Sequence, residues 1–125
     1  AFQTADGHII LAVGNDGQFQ RCCTVLGLTE TGQDERFVTN QLRVQNRDDL
    51  IPVLSKAMVT WQSKDLLAAM ASANVPVGPI NSVGDNLTSD HAKAHGLVVA
   101  PEGVKGVRTP ITFSDADLKI DRSAP

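Results

Sequence analysis

The sequence predicts an α+β domain, a small antiparallel sheet with a helical block packed on one side. Two observations carry this reading. Strand-like apolar runs open and close the chain, whereas its centre places apolar residues at helical spacing. Glycine and proline turns separate these pieces. The 125 residues fit a single domain over 1–125, and 42% hydrophobic residues are enough for a real core. Only 4% of the chain is aromatic and there is no Tyr, so that core must be aliphatic.

The first element is the run HIILAV, residues 8–13, which follows the turn ADG and is rich in β-branched residues, as a strand requires. Asn15 then caps a helix, with Gln18 as its capping-box partner. Phe19, Cys22, Cys23 and Leu26 fall at i, i+3, i+4 and i+7, and Gly27 ends the helix. The stretch TETGQDERFVTN is polar and reads as turns. A second helix places Leu50, Ile51, Leu54, Ala57, Met58 and Trp61 on one face, capped by Asn46, with Asp48 and Asp49 at its positive end. Pro52 is tolerated only near a first turn, which starts this helix close to Asp48. A third helix follows Thr60 as cap, with Trp61, Leu66, Leu67 and Met70 as its stripe. NVPVGPIN, with two prolines and a glycine, is extended. Short helical turns are expected in SVGDNL and SDHAKAHGL, and strand pieces in LVVAP, GVRTPITFS and LKI.

The net charge of −3 argues against a nucleic-acid binder, which needs a basic face, and against attachment to anionic membranes. No apolar run approaches the roughly 18–20 residues that span a bilayer. The N-terminus shows no signal-peptide pattern. The first residue is Ala, and the chain stops at DRSAP without a helix or cap, so a piece of a longer protein is the expectation. Adjacent cysteines at 22 and 23 offer neither a disulfide framework nor zinc spacing, and they fit a reducing cytoplasm.

Single residues point to little chemistry. The turn after the first strand, GNDG, lacks both the G-x-G-x-x-G spacing and a following Lys, and Asp16 would repel a phosphate there. Cys22 and Cys23 face the core, where burial makes a thiol inert. His91 and His95 stand one helical turn apart and can share a metal, but a third ligand is missing. They read as surface imidazoles, and no metal site is expected. Arg36, Arg43 and Arg47 can meet an anion, or pair with Asp34, Glu35, Asp48 and Asp49; the second reading is preferred.

Four collinear motifs add more. FQTADGHIILAVGNDGQFQRCCTVLG resembles the segment of class III CoA-transferases that follows their glycine-rich active-site loop. DERFVTNQLRVQNRDDL is similar to the family's helical block, and ANVPVGPINSVGD to its V-P-x-G-P-I/V-N signature. GVRTPITFS and RSAP resemble the segment leading back into the main domain. The resemblance runs through nearly the whole chain. It implies the small α+β domain of an enzyme whose large Rossmann-like domain, split in sequence, carries the catalytic aspartate and most CoA contacts. Family members form an interlocked dimer and move CoA between carboxylic acids through mixed anhydrides and an aspartyl-CoA thioester. No Asp here sits in the nucleophile's motif, so the chain is expected to have no catalytic residue and to be inactive alone. It binds no cofactor of its own, the acyl-CoA and carboxylate being substrates of the parent. Residues that could approach substrate lie in two loops, Gly14, Asn15 and Asp16, and Val75, Pro76, Gly78, Pro79 and Asn81; a structural role is the simpler reading of both. The alternatives are a fragment of a 2-methylacyl-CoA racemase and a free-standing, non-catalytic interaction module. Exposed apolar surface and a homodimer are further expectations.

Overall fold

Strands are short and helices dominate in the computed structural model, which describes residues 1–122. These residues form two compact units, Ala1–Ile80 and the segment from Asn81 onward. In the first unit, β1 (Phe2–Gln3), β2 (His8–Leu11) and β3 (Val77–Pro79) form an antiparallel sheet in the order β1-β2-β3. Phe2 stands opposite Ile9, and Ile9, Ile10 and Leu11 stand opposite Pro79, Gly78 and Val77. The period of two decides the faces: Ile9 is fully buried, while Ile10 is 53% exposed. The helices cover the Ile9 face. Between β2 and β3 run α1 (Asp16–Val25), α2 (Thr29–Gln33), α3 (Asn40–Gln45), α4 (Arg47–Met58) and α5 (Ser63–Ser72). One aliphatic-rich core joins Ile9, Phe19, Cys22, Cys23, Leu26, Phe37, Leu50, Leu54, Met58, Leu66, Met70 and Val75. The α+β class with a small antiparallel sheet is what the sequence predicts.

Helix α1 follows its local code. Asn15 accepts from the Gln18 amide at 2.9 Å. The Gln18 side chain reaches one residue further back than a capping box does and accepts from the Gly14 N–H at 3.0 Å. At the other end Gly27 has φ +70°, and the Leu28 and Gly27 amides donate to the carbonyls of Cys23 and Thr24, a Schellman closure. The two cysteines are buried as expected. Burial pushes the Cys22 thiol up to about 12, with the neighbouring Cys23 adding to it, and pushes Cys23 up to about 11 against an opposing pull from Arg43.

Several local expectations change. The polar stretch after Gly27 is not all turn: α2 closes against α1 because Gly32 has no side chain, and a Cβ there would lie 3.0 Å from the Cys23 Cβ. Ile51 is 41% exposed, so the core face of α4 is narrower than the sequence implies and consists of Leu50, Leu54 and Met58. Asn46 precedes α4 without capping it; its side chain donates instead to the carbonyls of Arg36 and Leu42 at 3.0 Å. Helix α4 begins at Arg47 and runs through Pro52, whose missing N–H lies on the exposed side, where water can serve the freed carbonyl.

The cap of α5 comes from far away in sequence. Thr60 only bonds back to Ala57. Asp6, in the β1–β2 turn, accepts from the Ser63 amide at 2.8 Å and from its hydroxyl at 2.7 Å. Buried Thr4 and Ser63 share a hydroxyl contact of 2.6 Å, and the Ala5 amide donates to the Trp61 carbonyl. These Ser63 bonds hold the Asp6 carboxyl below its ordinary 3.8.

Arg43 is the charged member of the interior. Its side chain is 7% exposed. It donates to the Phe37 carbonyl at 2.9 Å and to the Asp16 carboxylate at 2.8 Å, and its guanidinium lies 4.6 Å from the centre of the Phe19 ring. Arg36 pairs with Asp34 and Asp49, and Arg47 stands 3.9 Å from Asp48. Three of the expected partners therefore appear, while Arg43 takes Asp16, outside the expected set.

The second unit holds α6 (Val83–Thr88), α7 (Asp90–Ala94) and a two-stranded sheet, β4 (Val98–Val99) against β5 (Gly106–Val107). A capping box between Ser82 and Asp85 starts α6. The strands expected in TPITFS and LKI do not form. Ile111, Phe113, Leu118 and Ile120 are exposed there, without the partner ladder that a strand needs. The closing RSAP reaches beyond the described residues.

Three outcomes test this packing. Arg43→Ala should cost about 2–3 kcal/mol in urea unfolding, because it strands the Phe37 carbonyl and uncovers Phe19, whereas Asp16→Asn should cost under ~1 kcal/mol. Since the folded Asp6 value is lowered, its contribution is complete above pH 3.8 and fades as pH falls through the folded value. The stability gap between the parent chain and Asp6→Asn should therefore narrow on acidification below that pH. A chromogenic disulfide reagent at pH 8 should label neither cysteine in the native chain and both in guanidinium.

Candidate functional site

Strands β2 and β3 run antiparallel, so the exit of one lies beside the entry of the other. Past β2, the Ala12 amide donates to the Pro76 carbonyl at 3.0 Å. This bond brings the turn at Gly14, Asn15 and Asp16 to the same end of the sheet as Val75 and Pro76. Two segments some sixty residues apart in sequence thus share one rim.

The individual positions differ in what they offer. Asn15 spends its side-chain oxygen on the cap of α1, the Gly14 N–H is taken by Gln18, and Asp16 is held by Arg43. The amides of Gly14 and Gln18 are therefore taken by side chains, and Asp16 sets a carboxylate where an anion would have to approach. Val75 is buried, its side chain part of the core, and its amide donates to the Met70 carbonyl. Asn74, just before it, has φ +54°, a left-handed position that Asn tolerates. Arg21 braces this corner by donating to the carbonyls of Ala73 and Asn74 at 2.8 and 3.3 Å. Pro76 is exposed at the rim. Gly78 and Pro79 lie further along the sheet, paired with Ile10 and Ile9. Asn81 is an exposed residue of the second unit.

Beside the Gly14–Asp16 turn lies a groove of about 290 Å³ with a floor of Leu11, Val13, Phe19, Leu50 and Leu54. Arg43 and Arg47 stand at its edge. Arg47 is 71% exposed and only loosely paired. Such a lining suits an apolar group carrying a negative end. Sequence reasoning missed the groove because its walls come from β2, α1, α3 and α4; the clustered arginines were the one available signal. Among the described residues no group of three or more His, Cys, Asp or Glu is arranged to hold a metal. No helix among them is long and apolar enough to cross a membrane.

Comparison with known proteins fits this arrangement. The family model for CoA-transferase family III matches residues 1–125. The chain is 42% identical over 127 residues to the succinate–glutarate CoA-transferase of Agrobacterium fabrum, covering 98% of this chain and 32% of that protein. It is 32% identical to the acetyl-CoA:oxalate CoA-transferase of Acetobacter aceti, over 97% of this chain and 31% of that protein. The crystal structure of a CAIB/BAIF family protein from Brucella suis matches with a TM-score of 0.94 at 48% identity, covering 99% of this chain and 33% of that one. The chain spans about a third of the length of the curated relatives it matches. Its backbone course, its extended Val75–Pro79 corner and its match over every residue lead to one conclusion: the chain belongs to CoA-transferase family III.

Proposed function

We propose that these 125 residues are the small domain of an acyl-CoA transferase whose large catalytic domain lies outside them. The observation that carries this is the family match over the whole chain, set beside relatives three times its length that are named CoA-transferases. The parent moves CoA from an acyl-CoA to a free carboxylate. Its nucleophile is an aspartate carboxylate beyond this segment, which attacks the thioester carbonyl and expels CoA thiolate, leaving a mixed anhydride. The thiolate then attacks the aspartyl carbonyl of that anhydride, releasing the first carboxylate and leaving an aspartyl-CoA thioester. The acceptor carboxylate repeats the exchange in reverse. Both relatives' names include dicarboxylates, succinate and glutarate or oxalate, and a dicarboxylate acceptor is the corresponding proposal for the parent.

In this reading the chain supplies shape rather than chemistry. Its two thiols are buried and held protonated, which suits a lid better than a nucleophile. The rim formed by Gly14, Asn15, Asp16, Val75 and Pro76 faces the acyl end of the parent's site, which it helps to close. The parent acts in the cytoplasm as a homodimer.

The isolated chain should fold but show no CoA transfer between succinyl-CoA and glutarate. The full-length parent, incubated with succinyl-CoA and hydroxylamine, should lose activity as one aspartate becomes a hydroxamate, read by peptide mass spectrometry. An active parent that hydroxylamine never modifies in the presence of acyl-CoA would overturn the covalent mechanism.

A further inference from the structure

The second unit contains an arrangement that the proposed transferase role leaves unassigned. His91 and His95 lie at i and i+4, the second residue of the five-residue helix α7 and its C-cap. Their ring centres are 4.5 Å apart and the rings are tilted by 48°, so they touch without stacking face to face. Two imidazoles bound to one cation, each about 2.0 Å from the metal, place their ring centres roughly 4.5 Å apart at the right angle of an octahedral shell and roughly 5.2 Å apart at the tetrahedral angle. The ring-centre spacing of 4.5 Å equals that of the right-angle pair.

The backbone under the pair is fixed at both ends. Ser89 caps α7 by accepting from the Ala92 amide at 3.1 Å. The His95 amide donates to the His91 carbonyl at 3.1 Å. Gly96, with φ +56°, lets its own amide reach the Lys93 carbonyl and that of Leu97 reach Ala92, closing the turn in a Schellman motif. Ala92 is buried between the two histidines in sequence and pins the turn. Both imidazoles are exposed. Lys93, between the two histidines in sequence, is paired with Asp90 at 3.6 Å, so its charge is partly offset. A pair whose backbone is fixed by a closed turn loses only side-chain freedom on binding.

We propose that His91 and His95 form a bidentate imidazole site for a divalent transition cation, of which Zn2+ is the working example, with water completing the shell. Neutral imidazoles are borderline ligands that suit Zn2+, Cu2+ and Ni2+ rather than Mg2+ or Ca2+. A bound cation bridges the ends of the Asp90–Gly96 turn and braces it. The site is independent of the transferase reading, since it uses no residue of the sheet rim or the groove.

The chain has three histidines, so His8 serves as an internal control. The test is titration of the tag-free 125-residue chain with ZnCl2 at pH 7.5, followed by calorimetry and by NMR of the three imidazoles. One Zn2+ per chain is expected, with the resonances of His91 and His95 shifting and those of His8 unmoved. His91→Gln and His95→Gln should each weaken binding roughly tenfold or more, because each removes one arm of the chelate, while His8→Gln leaves it unchanged. Circular dichroism without metal should match the parent chain for all three variants, as the positions are exposed. Equal responses from all three histidines, full affinity in either single variant of the pair, or no binding at millimolar Zn2+ would each overturn the site.

Discussion

A guanidinium buried in an aliphatic core organises the first unit. Arg43 cannot lie there unpaired, because an uncompensated interior charge is far more costly than the pair it forms. Each of its contacts therefore acts as a constraint. The Phe37 carbonyl fixes the loop before α3, Asp16 fixes the first turn of α1, and the Phe19 ring fixes the face of that helix. The turn at Gly14–Asp16 is held by this network through Asp16 and by the strand that leads into it through the Ala12–Pro76 bond. The groove edge depends on the same side chain, which closes one wall while presenting positive charge.

What the sequence disclosed follows the range of the interactions. Helix α1 was readable to its ends because cap, periodic face and terminating glycine all lie within fourteen residues. The cap of α5 was not, because its acceptor sits 57 residues upstream and nothing near Ser63 announces it. Helix α2 escaped notice because its sequence is polar and its one buried contact is made by a glycine. The tail erred the other way. Alternation at Ile111, Phe113, Leu118 and Ile120 mimics strands, but pattern alone cannot supply the neighbouring backbone. Of the candidate site, both loops were legible as turn chemistry. Their meeting at one rim is a consequence of sheet register, and the groove of four converging elements has no local signature at all.

The distribution of polar groups also separates the two units. In the first, every strongly placed polar side chain has a structural obligation: Asn15 to a cap, Asp6 to a helix start, Arg21 to a helix end. In the second, core residues are few, large apolar side chains stand in solvent, and its imidazole pair is committed to no other element. Rigidity is concentrated where the chain carries its rim, and unassigned surface is concentrated in the other unit.

The Asp6–Ser63 clamp has a bearing on the order of assembly. Helix α5 begins with the Ser63 amide, which donates to Asp6 in the β1–β2 turn, and that turn is at the far end of the unit's chain. Closing so long a loop costs entropy before any contact returns it. The start of α5 therefore gains its cap only when the opening hairpin has docked, and the first residues of the chain are needed to complete the last helix of the unit. Folding of the first unit is consequently tied end to end, and it cannot finish as a nascent chain emerges while either terminus of the unit is held apart from the other.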